Sequence, residues 1–456
     1  MGNKEPIQLQ FENLFGIKVD YGFLNPETVI KIPQNEKDSL KVGGVLRIAK
    51  SGKRITLVED ISSGGQGTVY KTDLPGYAVK IYGEDDRTRF TQKKIEKILH
   101  FNNENPNICW PSDIVLTQSG VFVGFLMPLF NGRTLNYLLT GNPERIMKNH
   151  VGYSRLVQVE MILKMLNAFK YLHEHQILVA DIKLENVLYS KDTMDICFVD
   201  MDSVQIGEFN CQYSTDGYDP PEVIQCLKNR RHDERDSDGK YCYKKYYASR
   251  YRTLEIESYA MSVLIYRFLM EQQCPYAYED WLSEGVQEGE YNPNKLCIEQ
   301  KFAYGVDTGG TKETAYKSAI WSHFPSFLKE AFVDIFKNQK RYSDDEWIKI
   351  FLRYKRLLEN GELQKVDSDC MNPFPKYVAD YNALQFTEVI TVIEQRGFTL
   401  RQAVDAIIKA IGNQQLNKRE IVKKLKQQPY YMVGDYSFQL GYNIGVLKKI
   451  KCEYVL

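Results

Sequence analysis

The sequence predicts an α+β fold in which an antiparallel sheet comes first and a mainly helical region follows. Between Lys41 and Lys80, short runs rich in β-branched residues alternate with Ser-Gly turns, which is typical of antiparallel strands. After residue 155, apolar residues recur at helical spacing and indicate a long buried helix that ends near His173. With 456 residues, of which 43% are hydrophobic, the chain is long enough to bury the cores of two or three domains.

Charge and cysteine usage exclude several functional classes. The 59 basic and 59 acidic residues cancel, so no overall charge attracts the protein to nucleic acid or to an anionic membrane. The nine cysteines contain no CxxC pair, which argues against a zinc site and a disulfide framework. The most apolar stretch, Val121 to Phe130, is shorter than the roughly 20 residues of a membrane-spanning helix, and we interpret it as a buried strand. We therefore expect a soluble, cytoplasmic protein.

A glycine-rich hairpin is expected between two of the predicted strands. Glycines allow a backbone to close over phosphates, where a Cβ would obstruct the approach of amide N–H groups. The candidate phosphate-binding residues are Ser62, Gly64, Gly65, Gln66, Gly67 and Val69. Such a hairpin alone is more often only a turn. It gains weight from Ala78-Val79-Lys80, where a strand lysine would reach the α- and β-phosphates of a nucleotide.

A lysine beside phosphates must stay charged and correctly aimed, and a glutamate on the following helix would serve both needs. An apolar stripe that includes Phe90, Ile95 and Ile98 predicts such a helix. We expect Glu96 on this helix to pair with Lys80. The alternative is that Glu96 is one of several solvated charges there.

A third group of polar residues has the spacing of a catalytic base and two metal ligands. It comprises Asp181-Ile182-Lys183-Leu184-Glu185-Asn186, followed by Asp200 fourteen residues after Asn186. A DxKxxN string by itself is more often a surface feature than a site. The glycine hairpin and the strand lysine in front of it make coincidence improbable.

With these residues in this order, the chain resembles the protein-kinase superfamily over roughly residues 50–358. The resemblance implies a two-lobed fold, with an antiparallel β small lobe and a mainly helical large lobe. It implies that Asp181 accepts the proton of a substrate hydroxyl and that Lys183 neutralises the γ-phosphate of ATP. Asn186 and Asp200 would hold Mg²⁺, with Mn²⁺ as an alternative.

The resemblance also places a hinge after the apolar stretch. Met127 would be the gatekeeper beside the adenine, and Ala78 would line the same slot. Pro128 has no N–H, but the first hinge residue offers its carbonyl to adenine, while the donor comes two residues later at Phe130.

Departures from the kinase pattern surround both aspartates. Val179-Ala180 replaces the His-Arg before the catalytic aspartate, and Met201-Asp202 replaces the Phe-Gly after the metal-binding one. The arginine missing at Ala180 normally pairs with a phosphate on the activation loop. Ser214 to Glu222 resembles the Thr-x-x-Tyr-x-Ala-Pro-Glu ending of that loop, and in serine/threonine kinases the residue matching Thr215 contacts the catalytic aspartate.

Two finer expectations follow from the resemblance. Glu222 should be a buried carboxylate paired with Arg341. Cys109-Trp110-Pro111, Gly124-Phe125-Leu126-Met127-Pro128 and Asp200-Met201-Asp202-Ser203-Val204-Gln205 resemble a bacterial branch of kinase-like proteins. In that branch, Asp202 and Ser203 are family features.

The domain organisation is predicted from composition and from the resemblance. Residues 1–42 form an N-terminal extension of unknown role, 43–130 the small lobe and 131–360 the large lobe. Residues 361–375 have the Gly, Ser, Asp and Pro content of a linker, and 376–456 are expected to form a small, mainly helical domain that binds a regulatory partner. A Lys-, Arg- and Tyr-rich insertion at 228–252 either docks a substrate or is a solvated loop, and the second alternative is favoured.

These features together predict a Mg²⁺- and ATP-dependent serine/threonine protein kinase, whose protein substrate the sequence does not identify. One alternative is a pseudokinase scaffold that binds nucleotide without turnover. Another is a kinase-fold enzyme that phosphorylates a small molecule or transfers AMP.

Overall fold

The computed structural model describes residues 29–140, 143–211, 215, 217–225, 252–276, 293–304 and 315–375. These residues form two compact units. The first contains the described residues up to Leu138, within Lys164–Asp219 and within Val223–Glu257, and the second contains those within Leu139–Leu163, within Pro220–Glu222 and from Ser258 onward.

The first unit contains a closed antiparallel barrel with the strand order β1-β2-β3-β4-β6-β5. Its strands are β1 (Val45–Ile48), β2 (Arg54–Gly64), β3 (Gly67–Thr72), β4 (Tyr77–Tyr82), β5 (Asp113–Leu116) and β6 (Phe122–Pro128). Alternate residues such as Leu46, Ile55 and Val79 fill its interior and are inaccessible to solvent. The predicted antiparallel sheet in the first part of an α+β fold is confirmed.

Residues 29–42, the described part of the predicted N-terminal extension, belong to this unit. Ile30 N–H donates to the carbonyl of Arg87 at 2.7 Å, and Nε of Arg87 donates back to the carbonyl of Ile30 at 3.0 Å. A 3-10 helix, Gln34–Leu40, follows, and Glu36 accepts the N–H of Ser119 at 2.8 Å. These contacts hold the segment against the barrel.

Helix α1 (Arg89–Ile98) is the helix that the apolar stripe predicted. Thr88 caps its first turn, because its hydroxyl accepts the N–H of Thr91 at 3.1 Å. At the other end, the indole N–H of Trp110 donates to the carbonyl of Ile98 at 3.1 Å. The tryptophan of the Trp-Pro motif therefore satisfies one of the last carbonyls of the helix.

The remaining elements up to Ile206 include the strands that flank Asp181, Asn186 and Asp200. They are β7 (Arg133–Thr134), α2 (Leu135–Leu139), α3 (Pro143–Asn149), α4 (Arg155–Glu174), β8 (Ile177–Leu178), β9 (Val187–Tyr189), β10 (Ile196–Phe198) and β11 (Gln205–Ile206). Helix α4 ends beside His173, as predicted. Strands β9 and β10 are antiparallel with Val187 opposite Phe198, so the residue before β9 and the residues after β10 lie at the same end of the pair.

The second unit is helical. Besides α3 and the first part of α4, its described residues form α5 (Leu254–Leu269), whose first residues belong to the first unit, α6 (Pro293–Ile298), α7 (Ala315–Ser322), α8 (Ser326–Phe336) and α9 (Asp344–Glu359). Aromatic rings form its core: the ring of Tyr266 lies 5.2 Å from that of Phe332 and 5.4 Å from that of Phe336, edge to face. Within the described ranges, no helix is long and apolar enough to cross a membrane.

The segment predicted as a linker packs within the second unit. The backbone N–H of Arg155 donates to the carbonyl of Met371 at 2.8 Å, and its guanidinium donates to the carbonyl of Pro373 at 3.1 Å. Arg155 is fully buried, and Phe374 is 5% exposed. The ordered packing therefore continues past residue 361 to Pro375. The predicted domain at 376–456 and all but Arg252 of the 228–252 insertion lie outside the described residues.

The expectation of a buried Glu222 is wrong. Its carboxylate accepts from Arg341 at 2.7 Å, so the two residues do pair. However, the Glu222 side chain is 49% exposed, because the pair lies at the surface of the unit. The guanidinium also lies over the ring of Tyr259, 5.0 Å from its centroid.

We expect the Glu222–Arg341 pair to contribute only the coupling energy of an exposed ion pair, about 0.2–1 kcal/mol. A double-mutant cycle in urea unfolding, with Glu222→Gln, Arg341→Gln and the double variant, measures this coupling separately from the contact of Arg341 with Tyr259. A coupling energy of about 3 kcal/mol or more, which is characteristic of a buried pair, would contradict it.

Candidate functional site

A cavity of about 840 Å³ in the first unit brings the predicted site residues together. It is lined by every residue predicted for the site except Glu96: Ser62, Gly64, Gly65, Gln66, Gly67, Val69, Ala78, Lys80, Met127, Pro128, Phe130, Asp181, Lys183, Asn186, Asp200 and Thr215. A volume of this size is typical of small-molecule and cofactor sites.

The glycine hairpin connects β2 to β3, with Gly64 opposite Gly67 at its tip. Gly67 has φ 155°, and a Cβ there would lie 2.0 Å from the carbonyl oxygen of Ile81 in β4. A Cβ on Gly64 or Gly65 would have no atom within 4 Å. Packing of the strands therefore requires the glycine at 67, while the backbone at 64 and 65 is open to a ligand.

The part of the cavity that was predicted to hold the adenine ring is apolar. Ala78 and Met127 face each other across the pairing of β4 with β6, and Leu188 and Val199 contribute to the same lining. The N–H of Leu129 is already used, since it donates to the carbonyl of Gly76 at 2.8 Å. This arrangement suits a flat aromatic group that enters beside the residues predicted as a hinge.

Cys109 also lines this cavity, although the sequence analysis did not predict it as a site residue. Its sulfur lies 3.1 Å from that of Cys197, and both thiols are buried. The contact with Cys197 lowers the pKa of the Cys109 thiol, and the backbone N–H of Phe130 lowers it further. The two cysteines are 88 positions apart, so no local spacing in the sequence could have shown the pair.

Asp181, three residues after the end of β8, is the centre of a hydrogen-bonded group, and it is 3% exposed. Its Oδ2 accepts from Nζ of Lys183 at 2.7 Å, and its Oδ1 accepts from the Thr215 hydroxyl at 2.7 Å. Nδ2 of Asn186 donates to the backbone carbonyl of Asp181 at 2.9 Å and to its Oδ2 at 3.1 Å. Because these contacts use the amide nitrogen of Asn186, its oxygen is the atom available to a cation.

The loop before Asp181 is held by Glu257, which is fully buried near the start of α5. Its carboxylate accepts the N–H of Val179 at 2.7 Å and that of Ala180 at 2.9 Å, and it contacts Nε2 of His173 at 2.9 Å. Ala180 has φ 62°, a left-handed conformation that an L-residue adopts only when the surroundings enforce it. Sequence reasoning missed Glu257, although an acidic residue on an otherwise apolar helix face is a signal.

Lys80 is 4% exposed, and its ammonium group donates hydrogen bonds to three side chains. Its Nζ donates to both carboxylate oxygens of Asp202, at 2.9 and 3.0 Å, and to Oε1 of Gln66 at 2.8 Å. It also pairs with Oδ1 of Asp200. The glycine hairpin and the turn after β10 therefore meet at one ammonium group.

The expected pairing of Lys80 with Glu96 is wrong. Glu96 accepts from Lys93 at 2.6 Å and from Gln92 at 3.1 Å, both on its own helix. The buried face of α1 instead carries Lys94, whose ammonium donates to the carbonyl of Asn210 at 3.1 Å. The apolar stripe located the helix correctly, but Glu96 lies on its outer side.

The turn that carries Asp200 is braced by the residues after it. Asp200 has φ 61° and precedes a 3-10 turn, Met201–Ser203, and both the N–H and the hydroxyl of Ser203 donate to its carbonyl, at 3.1 and 2.8 Å. The side-chain amide of Gln205 bonds the backbone of Arg252, at 2.8 and 2.9 Å. Each polar residue of the Asp-x-Asp-Ser-x-Gln motif therefore has a defined contact.

Electrostatics keeps Lys80 charged. Burial alone would lower its pKa, but the charges of Asp202 and then Asp200 raise the pKa of Lys80 above its usual value. Burial, and then the charge of Asp202, raises the pKa of Asp200. Burial alone would raise the pKa of Asp202. The charge and hydrogen bonds of Lys80 outweigh burial and lower the pKa of this carboxyl.

The residues present fit a nucleotide with a magnesium ion. The oxygens of Asn186 and Asp200 are hard ligands of the kind that Mg²⁺ prefers, and both residues line the cavity. Among the described residues, no group of three His, Cys, Asp or Glu side chains could hold a metal alone. Two protein ligands suit an ion that takes its remaining ligands from phosphates and water.

Residues 55–239, which are 185 of the 456 residues, match the family model described as Protein kinase domain. No curated protein matches the chain. The match, together with the mixed helix and strand content, supports the protein-kinase superfamily, an α+β kinase-like fold and a phosphotransfer function of the kinase type.

We expect Glu257→Ala to lower the free energy of unfolding by about 2–5 kcal/mol, because two buried N–H groups and His173 lose their acceptor. Urea unfolding measures the loss, and amide hydrogen exchange should show faster exchange at Val179 and Ala180. Glu255→Ala, on the exposed side of the same helix, is the matched control and should change stability by less than about 1 kcal/mol. Equal effects of the two variants would show that Glu257 does not hold the loop.

Proposed function

We propose that this protein is a Mg²⁺- and ATP-dependent serine/threonine protein kinase that transfers the γ-phosphate to a protein hydroxyl. One observation carries the proposal: the Asp181 carboxylate, with Lys183 at 2.7 Å and Thr215 at 2.7 Å, lines the same cavity as Lys80 and Asp200. A base, two cations and a metal ligand around one cavity are the parts that phosphoryl transfer requires.

Each residue then has a role in the reaction. Asp181 orients the substrate hydroxyl and accepts its proton, while Lys183 neutralises charge on the transferred phosphoryl group. Lys80 holds the α- and β-phosphates. Asn186 and Asp200 would hold the magnesium ion, which, when bound, offsets the negative charge of the phosphates.

Thr215 supports a protein substrate over a small molecule. A threonine hydrogen-bonded to the catalytic aspartate is the feature of serine/threonine kinases that the sequence resemblance identified, and here the donor–acceptor distance is 2.7 Å. The narrower resemblance to a bacterial kinase-like branch is supported by contacts at its motifs, since Trp110 caps α1 and Asp202 pairs with Lys80. A cytoplasmic location and a regulatory partner for residues 376–456 stay predictions.

The experiment that tests the proposal is incubation with γ-labelled or α-labelled ATP, Mg²⁺ and a mixture of proteins, followed by mass spectrometry of the products. Label from γ-ATP on serine or threonine is the expected result. Label from α-ATP would identify AMP transfer, label on a small molecule would identify a different acceptor, and nucleotide binding without any transfer would identify a pseudokinase. Each of these three outcomes contradicts the proposal.

We expect Asp200→Ala to abolish transfer, because the principal metal ligand is lost. Asp181→Asn should spare nucleotide binding but slow transfer by at least about 10²-fold, as expected of a lost general base. Asp192→Asn, in an exposed turn of the same unit, is the control and should match the unmodified enzyme. Initial rates and nucleotide titration measure both effects, and unchanged transfer in either site variant would refute the assignment.

We further expect activity without phosphorylation of the loop that contains Thr215, because Ala180 removes the cation that usually captures such a phosphate. Phosphatase-treated enzyme should keep full activity. Thr215→Ser should stay active, whereas Thr215→Glu should be inactive, since a negative charge would lie against Asp181. Activity that returns only after phosphate is restored to Ser214 or Thr215 would mean that another basic residue replaces the missing arginine.

A further inference from the structure

We propose that Asp202 is the positioning acid of Lys80, and that the lysine is aligned by the turn that carries Asp200 and not by helix α1. This inference rests on the proposed function, in which Lys80 holds the phosphates. It assigns a role to a residue that does not line the nucleotide cavity.

Among the described residues, the hydrogen bonds that the Asp202 carboxylate accepts come from Lys80 and from Tyr82 of the same strand. Both carboxylate oxygens accept from Nζ of Lys80, at 2.9 and 3.0 Å, and Oδ2 also accepts from the Tyr82 hydroxyl at 2.7 Å. Tyr82 and Lys80 lie two residues apart on β4, so their side chains leave the same face of the strand. Asp202 therefore fixes the end of the lysine by a charged pair and is itself fixed by the same strand.

Burial separates the roles of the two acids. The side chain of Asp202 is 5% exposed, like that of Lys80, whereas the side chain of Asp200 is 27% exposed and lines the cavity. Asp200 can face a metal ion or phosphate, but Asp202 cannot reach either without leaving Lys80. The pair that remains when a nucleotide occupies the cavity is therefore Lys80 with Asp202.

Helix α1 provides no competing acid. Glu96 is turned outward, and the polar residue on the inward face is Lys94, which is 6% exposed. Lys94 and Asp202 line the same small cleft, together with Tyr82. The helix thus contributes a lysine where an acid would be needed, and the turn after β10 contributes the acid.

The same turn carries the metal ligand. Asp200 and Asp202 are two residues apart, and Ser203 holds the turn through the carbonyl of Asp200 at 2.8 Å. An outward movement of α1 would therefore leave the Lys80–Asp202 contact intact. This enzyme has its lysine aligned by the element that also presents the metal ligand.

The test measures ADP affinity by calorimetry in EDTA, where no metal ion contributes to binding. Asp202→Asn should weaken ADP binding in EDTA by about tenfold, the loss expected of one charge-assisted contact. Tyr82→Phe is a milder change that keeps every charge. It should weaken ADP binding in EDTA by about threefold, because Asp202 loses the hydrogen bond from the Tyr82 hydroxyl. Glu96→Gln is the matched control on α1 and should change affinity by less than about twofold.

A double-mutant cycle with Lys80→Met decides whether Asp202 acts through the lysine. In the Lys80→Met background, neither Asp202→Asn nor Tyr82→Phe should weaken ADP binding further. Additive losses, or a loss in Glu96→Gln equal to that in Asp202→Asn, would overturn the inference. If Asp202→Asn does not fold, the cycle of Tyr82→Phe with Lys80→Met still shows whether Asp202 acts through the lysine. Because binding is measured without turnover, the inference can hold even where the labelled-ATP experiment detects no transfer.

Discussion

The buried ammonium group of Lys80 is the constraint on which the first unit depends. An uncompensated charge at 4% exposure would be too costly to keep, so the fold must bring acids to it. Pairing of β4 with β3 and β6 places the lysine, and the turn after β10 delivers Asp200 and Asp202 from 120 and 122 positions away. The glycine hairpin is tied to the same point through Gln66. The glycine hairpin and the turn that carries Asp200 are therefore joined by one charge.

A second buried charge organises the other wall. Glu257 holds the backbone of Val179 and Ala180, which lets the chain adopt a left-handed conformation immediately before Asp181. Asp181 can then accept hydrogen bonds from both Lys183 and Thr215. The two departures from the kinase pattern, at Val179-Ala180 and Met201-Asp202, both lie where such buried acids supply the contacts. They are accommodated by the surrounding structure and do not disrupt it.

Most of the described fold and most of the lining of the candidate site could be predicted from local pattern. Short stretches of chain show the strand alternation, the helical spacing before His173 and the motifs that contain Lys80, Asp181, Asn186 and Asp200. These four residues all line the cavity. The wrong predictions concern side chains whose orientation and exposure depend on how distant elements pack. A helical stripe locates α1 but does not show that Glu96 turns outward, and a matching position for Glu222 does not show that it is 49% exposed. Glu257 and the contact between Cys109 and Cys197 were missed because their partners are about 80 positions away.

The strand that carries Lys80 is approached closely from both sides by residues without a side chain. A Cβ on Gly67 would lie 2.0 Å from the carbonyl oxygen of Ile81, and one on Gly124 would lie 1.9 Å from that of Lys80 itself. Backbone hydrogen bonds to β3 and β6 thus hold this part of β4, and at Gly67 and Gly124 the neighbouring strands are too close to β4 for a Cβ. Over evolutionary time, apolar residues inside the barrel can be exchanged and repacked one by one without displacing the lysine. Positions 67 and 124 have no such freedom, so a lineage that keeps this lysine in place must also inherit both glycines.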